Sequence, residues 1–314
     1  MMRMLAGPRG WLALLVLLAV AVFALRISAP SDLEGYAQHR NVGYVMDAVW
    51  SGNWLAQYDI QGRILSKPPL HTWLAGAAAT VLGVDRLALV LPSFVAVLAL
   101  TLLVFEVGRR RFGLLAGGLA GVAVIMAPML AKHIALLRSD PLFALLIAAA
   151  AFAALKAWES GRGWLLFWFL AGLATLTKGP LGLVLAAAGL LAWFWERRSD
   201  APHTPSLRGP HWAGLVIFLA IPLAWFLPAW WHYGQELIDK MFFDELVGHA
   251  TGVGRERSFG ENLPRPTLFF LQRFLPFSLF AAYGIWRVFR HPAADAAERR
   301  CERFLVSWIL AGLL

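Results

Sequence analysis

Apolar positions along this chain do not alternate with polar ones; they gather into long runs separated by short polar clusters. The runs occupy residues 11–27, 87–107, 113–131, 141–157, 164–177, 179–195, 212–231 and 267–289, and another begins near 303. A straight helical crossing of a bilayer needs about 20 apolar residues. The pattern therefore predicts an all-α polytopic membrane protein, with soft boundaries where a run falls short of that length.

The clusters between the runs set an orientation. Arg3 and Arg9 precede the first run, and "RRRFG" (109–113), "KAWESGR" (156–162), "WERR" (195–198) and the stretch from "RVFRHP" to "ERRCER" (287–303) follow later ones. Placing all of them in the cytoplasm satisfies the positive-inside rule. Segment 70–86, "LHTWLAGAAATVLGVDR", breaks this arithmetic if it crosses, because Arg109–Arg111 would then lie outside. It is predicted as a partial element packed against the next span. The outer face then collects residues 28–70, the loop around 132–140, the turn at 177–180 and the long loop 232–266.

Composition excludes a soluble globular domain. Of 314 residues, 59% are hydrophobic and 15% charged, and the mean hydropathy is +0.63, so lipid must solvate much of the surface. The net charge of +9 is spent on the topological clusters rather than on a basic patch, which points away from nucleic acid. The single cysteine, Cys301, forms no intramolecular disulfide and no zinc cluster. The basic start and apolar centre of residues 1–30 have the outline of a signal peptide. The run Trp11–Ile27 is longer than a signal core, however, and no small-x-small site precedes Asp32, so it is predicted to be a retained first span.

Most unusual polar residues fall on the outer segments. Ser31-Asp32-Leu33-Glu34 fits a capping box, with Ser31 as N-cap and Glu34 reaching back to it. The cap does not require Asp32, which stands at the exit of a span where an acid reaches a lipid-borne substrate. In "SKPPLHTW" (66–73), Pro68 and Pro69 predict an extended, stiff chain that presents Lys67; the lysine either snorkels at the interface or meets a phosphate. "ALLRSDPLFALL" (135–146) sets Arg138 and Asp140 between two runs, as an ion pair capping a helix at Asp140-Pro141 or as functional charges. "TLTKGPLG" (175–182) puts Lys178 at a Gly-Pro break, the kind of irregular backbone tolerated at membrane depth where it is buried or lines a cavity. In the long loop, Leu237, Met241 and Leu246, with Phe242 between, suit a helix lying on the membrane. Arg255, Arg257 and Arg265 have planar forks suited to phosphate, or belong to a solvated loop. Histidines 39, 71, 133, 232 and 249 lack metal-ligand spacing and receive no role, and no glycine-rich nucleotide loop follows a strand.

In this order the motifs resemble the GT-C membrane glycosyltransferases, in the bacterial branch related to the aminoarabinose–lipid A transferase and the protein O-mannosyltransferases. That branch carries D-E-x-x-Y-A, matched at Asp32, Tyr36 and Ala37; "sGdWl", matched by Ser51-Gly52-Asn53-Trp54-Leu55; and K-P-P-L-x-x-W, matched at Lys67–Leu70 and Trp73. An R-x-D matches Arg138 and Asp140, and a T-K-G-P matches Thr177–Pro180. Two departures stand out. Leu33 replaces the second acid of the first motif, and the family's F-F-x-E-x-x-x-R appears as Phe242-Phe243-Asp244-Glu245 with His249 in place of the arginine.

The resemblance implies a GT-C-type transmembrane bundle with juxtamembrane helices in the first outer loop, residues 1–314 forming one glycosyltransferase domain. It implies transfer of a hexose or pentose, with inversion, from a polyprenyl-phosphate donor to a lipid or protein acceptor at the outer face of a bacterial inner membrane. Asp32 and Asp140 are then the expected catalytic acids and candidate ligands for a divalent metal. Tyr36, Lys67, Arg138, Lys178, Glu245, Arg255 and Arg257 are the expected substrate contacts. Because "SWILAGLL" breaks off inside an apolar run, the sequence is expected to be the front part of a longer protein. A transporter or lipid flippase is the rival reading, and it requires polar groups through the middle of several spans.

Overall fold

The structure, a computed structural model, describes residues 7–30, 35–200, 204–241, 243 and 265–313, with only the backbone of Tyr36 and of four residues between 265 and 270. Asp32, Glu34, Glu245, His249, Arg255 and Arg257 lie outside the described residues. The described residues form helices joined by turns and loops, among them a loop at 51–69 closed by an antiparallel bridge between Tyr58 and Ile64.

Four helices are long and apolar enough to cross a membrane: α1 (Pro8–Ser28), α4 (Arg86–Phe112), α7 (Asp140–Ser160) and α11 (His211–Tyr233). Between them stand α2 (Tyr36–Trp50), α3 (Leu70–Leu82), α5 (Leu114–Met126), α6 (Pro128–His133) and α8 (Trp164–Lys178). The run predicted at 179–195 is jointed, with α9 (Leu181–Ala187) and α10 (Ala192–Ser199) joined by a 3-10 turn. After α12 (Gln235–Ile238) come α13 (Arg265–Arg273), α14 (Phe277–Arg290) and α15 (Ala296–Leu313). The run at 267–289 is likewise broken, between α13 and α14 ahead of Pro276.

Polar contacts fix which helix ends lie together. The Arg86 guanidinium at the start of α4 donates to the carbonyls of Ala29 (2.9 Å) and Arg26 (3.2 Å) at the end of α1. Arg111 at the other end of α4 pairs with Glu159 at the end of α7. The segment from Lys67 to Arg86 therefore begins and ends near one face, and the 13 residues of α3 pack beside α2 and α4 without crossing, as the charge arithmetic predicts. On α11, Trp212 and Trp231 are 83% and 92% exposed. They stand about 28 Å apart at 1.5 Å per residue, the spacing of two interfacial aromatic belts.

The basic end is tied by buried charge. Arg300 of α15 makes a two-pronged contact with Glu196 of α10 (2.6 and 2.9 Å), and Arg303 reaches Asp200 at 2.6 Å. The largest core cluster lies beneath it, with Trp158, Trp164, Phe167 and Phe304 around the alanine-rich face of α7.

Helix α2 starts at Tyr36 with Gly35 extended as its N-cap (φ −68°, ψ 138°); the capping box expected at Ser31–Glu34 lies outside the described residues. The structure departs from expectation in two places. Pro69 takes φ −87°, ψ 0° and caps α3, so the Pro-Pro pair turns the chain into a helix instead of extending it. Leu237, expected on the membrane surface, is fully buried against Tyr44, Ile64, Leu65 and Trp225, with Met241 packed on the same cluster. Its apolar face is spent on the first outer loop, which leaves that part of the helix nothing to bury in lipid.

Candidate active site

At the end of the bundle opposite the basic clusters, four stretches meet around one cavity of about 60 Å³. It is lined by Ala37, Arg40, Asn41 and Tyr44 of α2, by Ser66–Pro68, His71 and Thr72 at the entry to α3, by Arg138–Asp140, and by Thr177. Of the residues singled out in the sequence, Lys67, Arg138 and Asp140 thus share a wall, and Lys178 contacts Asp140. Tyr36 is placed on α2 by its backbone alone.

Helix polarity explains the charged pair. Asp140 opens α7, with Ser139 as N-cap and Pro141 in the first turn, where the helix dipole favours an anion. Lys178 closes α8, where the dipole favours a cation. Gly179 breaks the chain there with φ +100°, a region that favours glycine. The two antiparallel ends bring Lys178 Nζ to 2.5 Å from Asp140 Oδ1 and 5.5 Å from the centre of the Phe143 ring. The other oxygen, Oδ2, faces Arg138 Nε at 3.6 Å and His133 Nδ1 at 4.0 Å.

Backbone contacts hold these groups against α2. The Gln38 amide brackets the Leu137 peptide: its Oε1 accepts from Leu137 N (3.0 Å) and its Nε2 donates to Leu137 O (3.3 Å). Asn41 Nδ2 donates to the same carbonyl at 2.7 Å. From the other side, Ser93 Oγ donates to Arg138 O (3.2 Å) and lies 3.4 Å from His71 Nε2. Residue 43 must be glycine-sized, because a Cβ there would sit 2.8 Å from Ile60 N; α2 thereby approaches the 59–60 backbone.

The loop itself is built around two carboxylates. Asp47 Oδ2 accepts from Asn53 Nδ2 and Tyr58 N, both at 2.8 Å. Burial raises the Asp59 carboxyl but is outweighed by hydrogen bonds from Arg63 N, Gln61 N and the Arg63 guanidinium, which hold it below the usual carboxylate range. The loop is latched to α11 and α12 by Tyr233 OH donating to Asn53 Oδ1 (2.8 Å), Tyr58 OH donating to Glu236 Oε2 (3.0 Å) and Trp225 Nε1 donating to Leu55 O (2.6 Å). Burial, then the Glu236 bond, pushes the Tyr58 phenol up to about 12. Burial likewise pushes Tyr44 to about 12, so both remain neutral donors at neutral pH. His133 is held below the usual range by burial, against the upward pull of Asp140 and with Arg138 adding to the depression.

Sequence reasoning missed Arg40, Asn41, Tyr44, His71 and His133. The histidines carry no ligand spacing. Gln38, Asn41 and Tyr44 recur every three residues on one helix, a polar stripe that was the available signal.

The arrangement joins cations and a carboxylate at one end of a membrane bundle. The fold is that of ArnT from Cupriavidus metallidurans. The chain superposes on its crystal structure bound to undecaprenyl phosphate with a TM-score of 0.74 and 19% identity, covering 98% of this chain and 60% of that one. On the apo crystal structure the TM-score is 0.62 at 20% identity, covering 96% and 59%. The chain is also 27% identical over 150 residues to undecaprenyl phosphate-alpha-4-amino-4-deoxy-L-arabinose arabinosyl transferase 2 of Sodalis glossinidius (strain morsitans), a match spanning 46% of this chain and 27% of that protein. The family model of dolichyl-phosphate-mannose-protein mannosyltransferases matches residues 66–227, just over half of the chain and including Lys67, Arg138, Asp140 and Lys178. The chain belongs to the dolichyl-phosphate-mannose-protein mannosyltransferase family.

Proposed function

We propose that this chain acts as a glycosyltransferase that moves a sugar from a polyprenyl-phosphate donor to a lipid or protein acceptor at the outer face of the inner membrane. The observation that carries the reading is the cavity lined by Lys67, Arg138 and Asp140, with Lys178 paired to Asp140. Family membership, and relatives named for undecaprenyl phosphate, support a lipid-phosphate donor. Polar groups gather at this end of the bundle, where a transporter would need them through its middle.

In the proposed reaction, the bond between the sugar's anomeric carbon and the phosphate oxygen breaks, and polyprenyl phosphate leaves with both electrons. The acceptor oxygen forms the new bond on the opposite face, inverting the centre. Asp32 takes the proton of an acceptor hydroxyl or orients the nucleophile. Lys67 and Arg138 stabilise the charge that grows on the leaving phosphate. Tyr36, Glu245, Arg255 and Arg257 are proposed as further substrate contacts.

Asp140, expected as a second catalytic acid or metal ligand, is better suited to position Lys178 and Arg138. With Lys178 at one oxygen and Arg138 and His133 toward the other, its surroundings do not fit a divalent cation.

The test is transfer of radiolabelled sugar from polyprenyl-phosphate donors in membranes holding the full-length protein. Asp32→Asn should abolish transfer at unchanged expression. Near wild-type activity in that variant overturns the assignment of the base.

A further inference from the structure

Arg40 stands out among the polar groups of the cavity. It lies on α2 and lines the cavity with Lys67 and Arg138. Its Nε is buried with no hydrogen-bond partner, and among the described residues it forms no ion pair. Arg138 and Lys178, by contrast, are drawn to Asp140. Burying a guanidinium donor without a partner is costly, so its persistence in a cavity wall calls for an anion that arrives with a ligand. Tyr44, one turn further along α2, reaches the Ile64 carbonyl (3.4 Å). That contact fixes this face of the helix over the segment leading to Lys67 and keeps Arg40 at the same mouth.

We propose that Arg40 is a phosphate-binding residue that, together with Lys67, holds the phosphate of the lipid-borne polyprenyl donor. The assignment rests on the glycosyltransferase reading and adds a residue that no sequence motif indicated. A guanidinium offers two parallel donors to a phosphate, whereas an ammonium acts as a point charge. Lysine at this position should therefore restore binding only in part.

The experiment uses the full-length protein in lipid nanodiscs and titrates undecaprenyl phosphate against the wild type, Arg40→Gln and Arg40→Lys. Affinity is read from intrinsic tryptophan fluorescence and from the ligand-induced rise in Tm. Arg40→Gln should weaken binding by about 10- to 100-fold, the loss of one charged hydrogen-bonding partner, with Arg40→Lys between it and the wild type. Without lipid, the Tm of Arg40→Gln should equal or exceed that of the wild type, because a buried donor without a partner has been removed.

Equal binding by the wild type and Arg40→Gln overturns the role of Arg40 and leaves the glycosyltransferase reading standing. A lower Tm without lipid, together with an undiminished lipid-induced rise, marks Arg40 as structural and also overturns it. Failure of the wild type to bind the lipid overturns the underlying reading. Inorganic phosphate that saturates the site at concentrations matching the lipid overturns the lipid as the source of the phosphate.

Discussion

Lys178 at the C-terminal end of α8 and Asp140 at the N-terminal end of α7 stand 2.5 Å apart, each about a third exposed. Each sits at the helix end whose dipole favours its charge, so the pair locks two antiparallel helices at the mouth of the cavity. Removing either partner releases Lys178 or Arg138 to another position, and misplacing a charged group by about 1 Å costs on the order of 10²-fold in rate. Asp140→Asn and Lys178→Met should each lower sugar transfer by about that factor. The double variant should lose no more than the worse single one, since the groups act as a unit. A double-mutant cycle on transfer rates checks this, and simple additivity would refute it.

Gln38 makes a separate prediction. Its amide satisfies both polar groups of the Leu137 peptide, and both residues are buried. Gln38→Leu keeps the volume but leaves Leu137 N without a partner, at a cost of about 1–3 kcal/mol. Hydrogen exchange at residues 134–139 should accelerate, and transfer should fall because Arg138 and Asp140 follow that peptide. Unchanged exchange in that segment would show that Asn41 and Ser93 suffice to hold it.

The parts of the site visible in the sequence were those whose chemistry is local. Lys67, Arg138, Asp140 and Lys178 each stand in an unusual setting, beside prolines, a Gly-Pro break or a helix start, and the structure brings them to one end of the bundle. The status of α3 was also legible, because the rule that places Arg109–Arg111 inside forbids it to cross. What joins the segments was not legible. The Lys178–Asp140 contact spans 38 positions and the Gln38–Leu137 contact 99, and no period in the sequence links them. Leu237 carried the mark of an interfacial helix, but an apolar residue reads the same whether lipid or Tyr44 covers it. Glu196 and Arg300 were read as topological charge, which describes their location but not their pairing.

Asp59 gives a pH dependence. Its carboxyl lies below the usual range in the folded loop, against about 3.9 in an unfolded chain. Its contribution is therefore fully present above about pH 4 and is lost as pH falls through the lower folded value. The Tm gap between the wild type and Asp59→Asn should be constant from pH 7 to pH 5 and should shrink below that. A gap that widens on acidification would contradict the sign.

The Glu196–Arg300 pair at the basic end separates stability from activity. The two side chains are only 5% and 8% exposed, and the Arg300 guanidinium also lies 5.3 Å over the Trp158 ring. Breaking such a pair from one side strands a buried charge and typically costs about 3–5 kcal/mol. Glu196→Gln should therefore lower the Tm of the purified protein markedly. Replacing both partners, as in Glu196→Leu with Arg300→Met, removes the stranded charge and should recover most of the loss. Because the pair lies at the opposite end of the bundle from the cavity, transfer per folded molecule should stay near the wild-type rate in both variants. A large fall in that rate at full folding would mean that the basic end is coupled to the site.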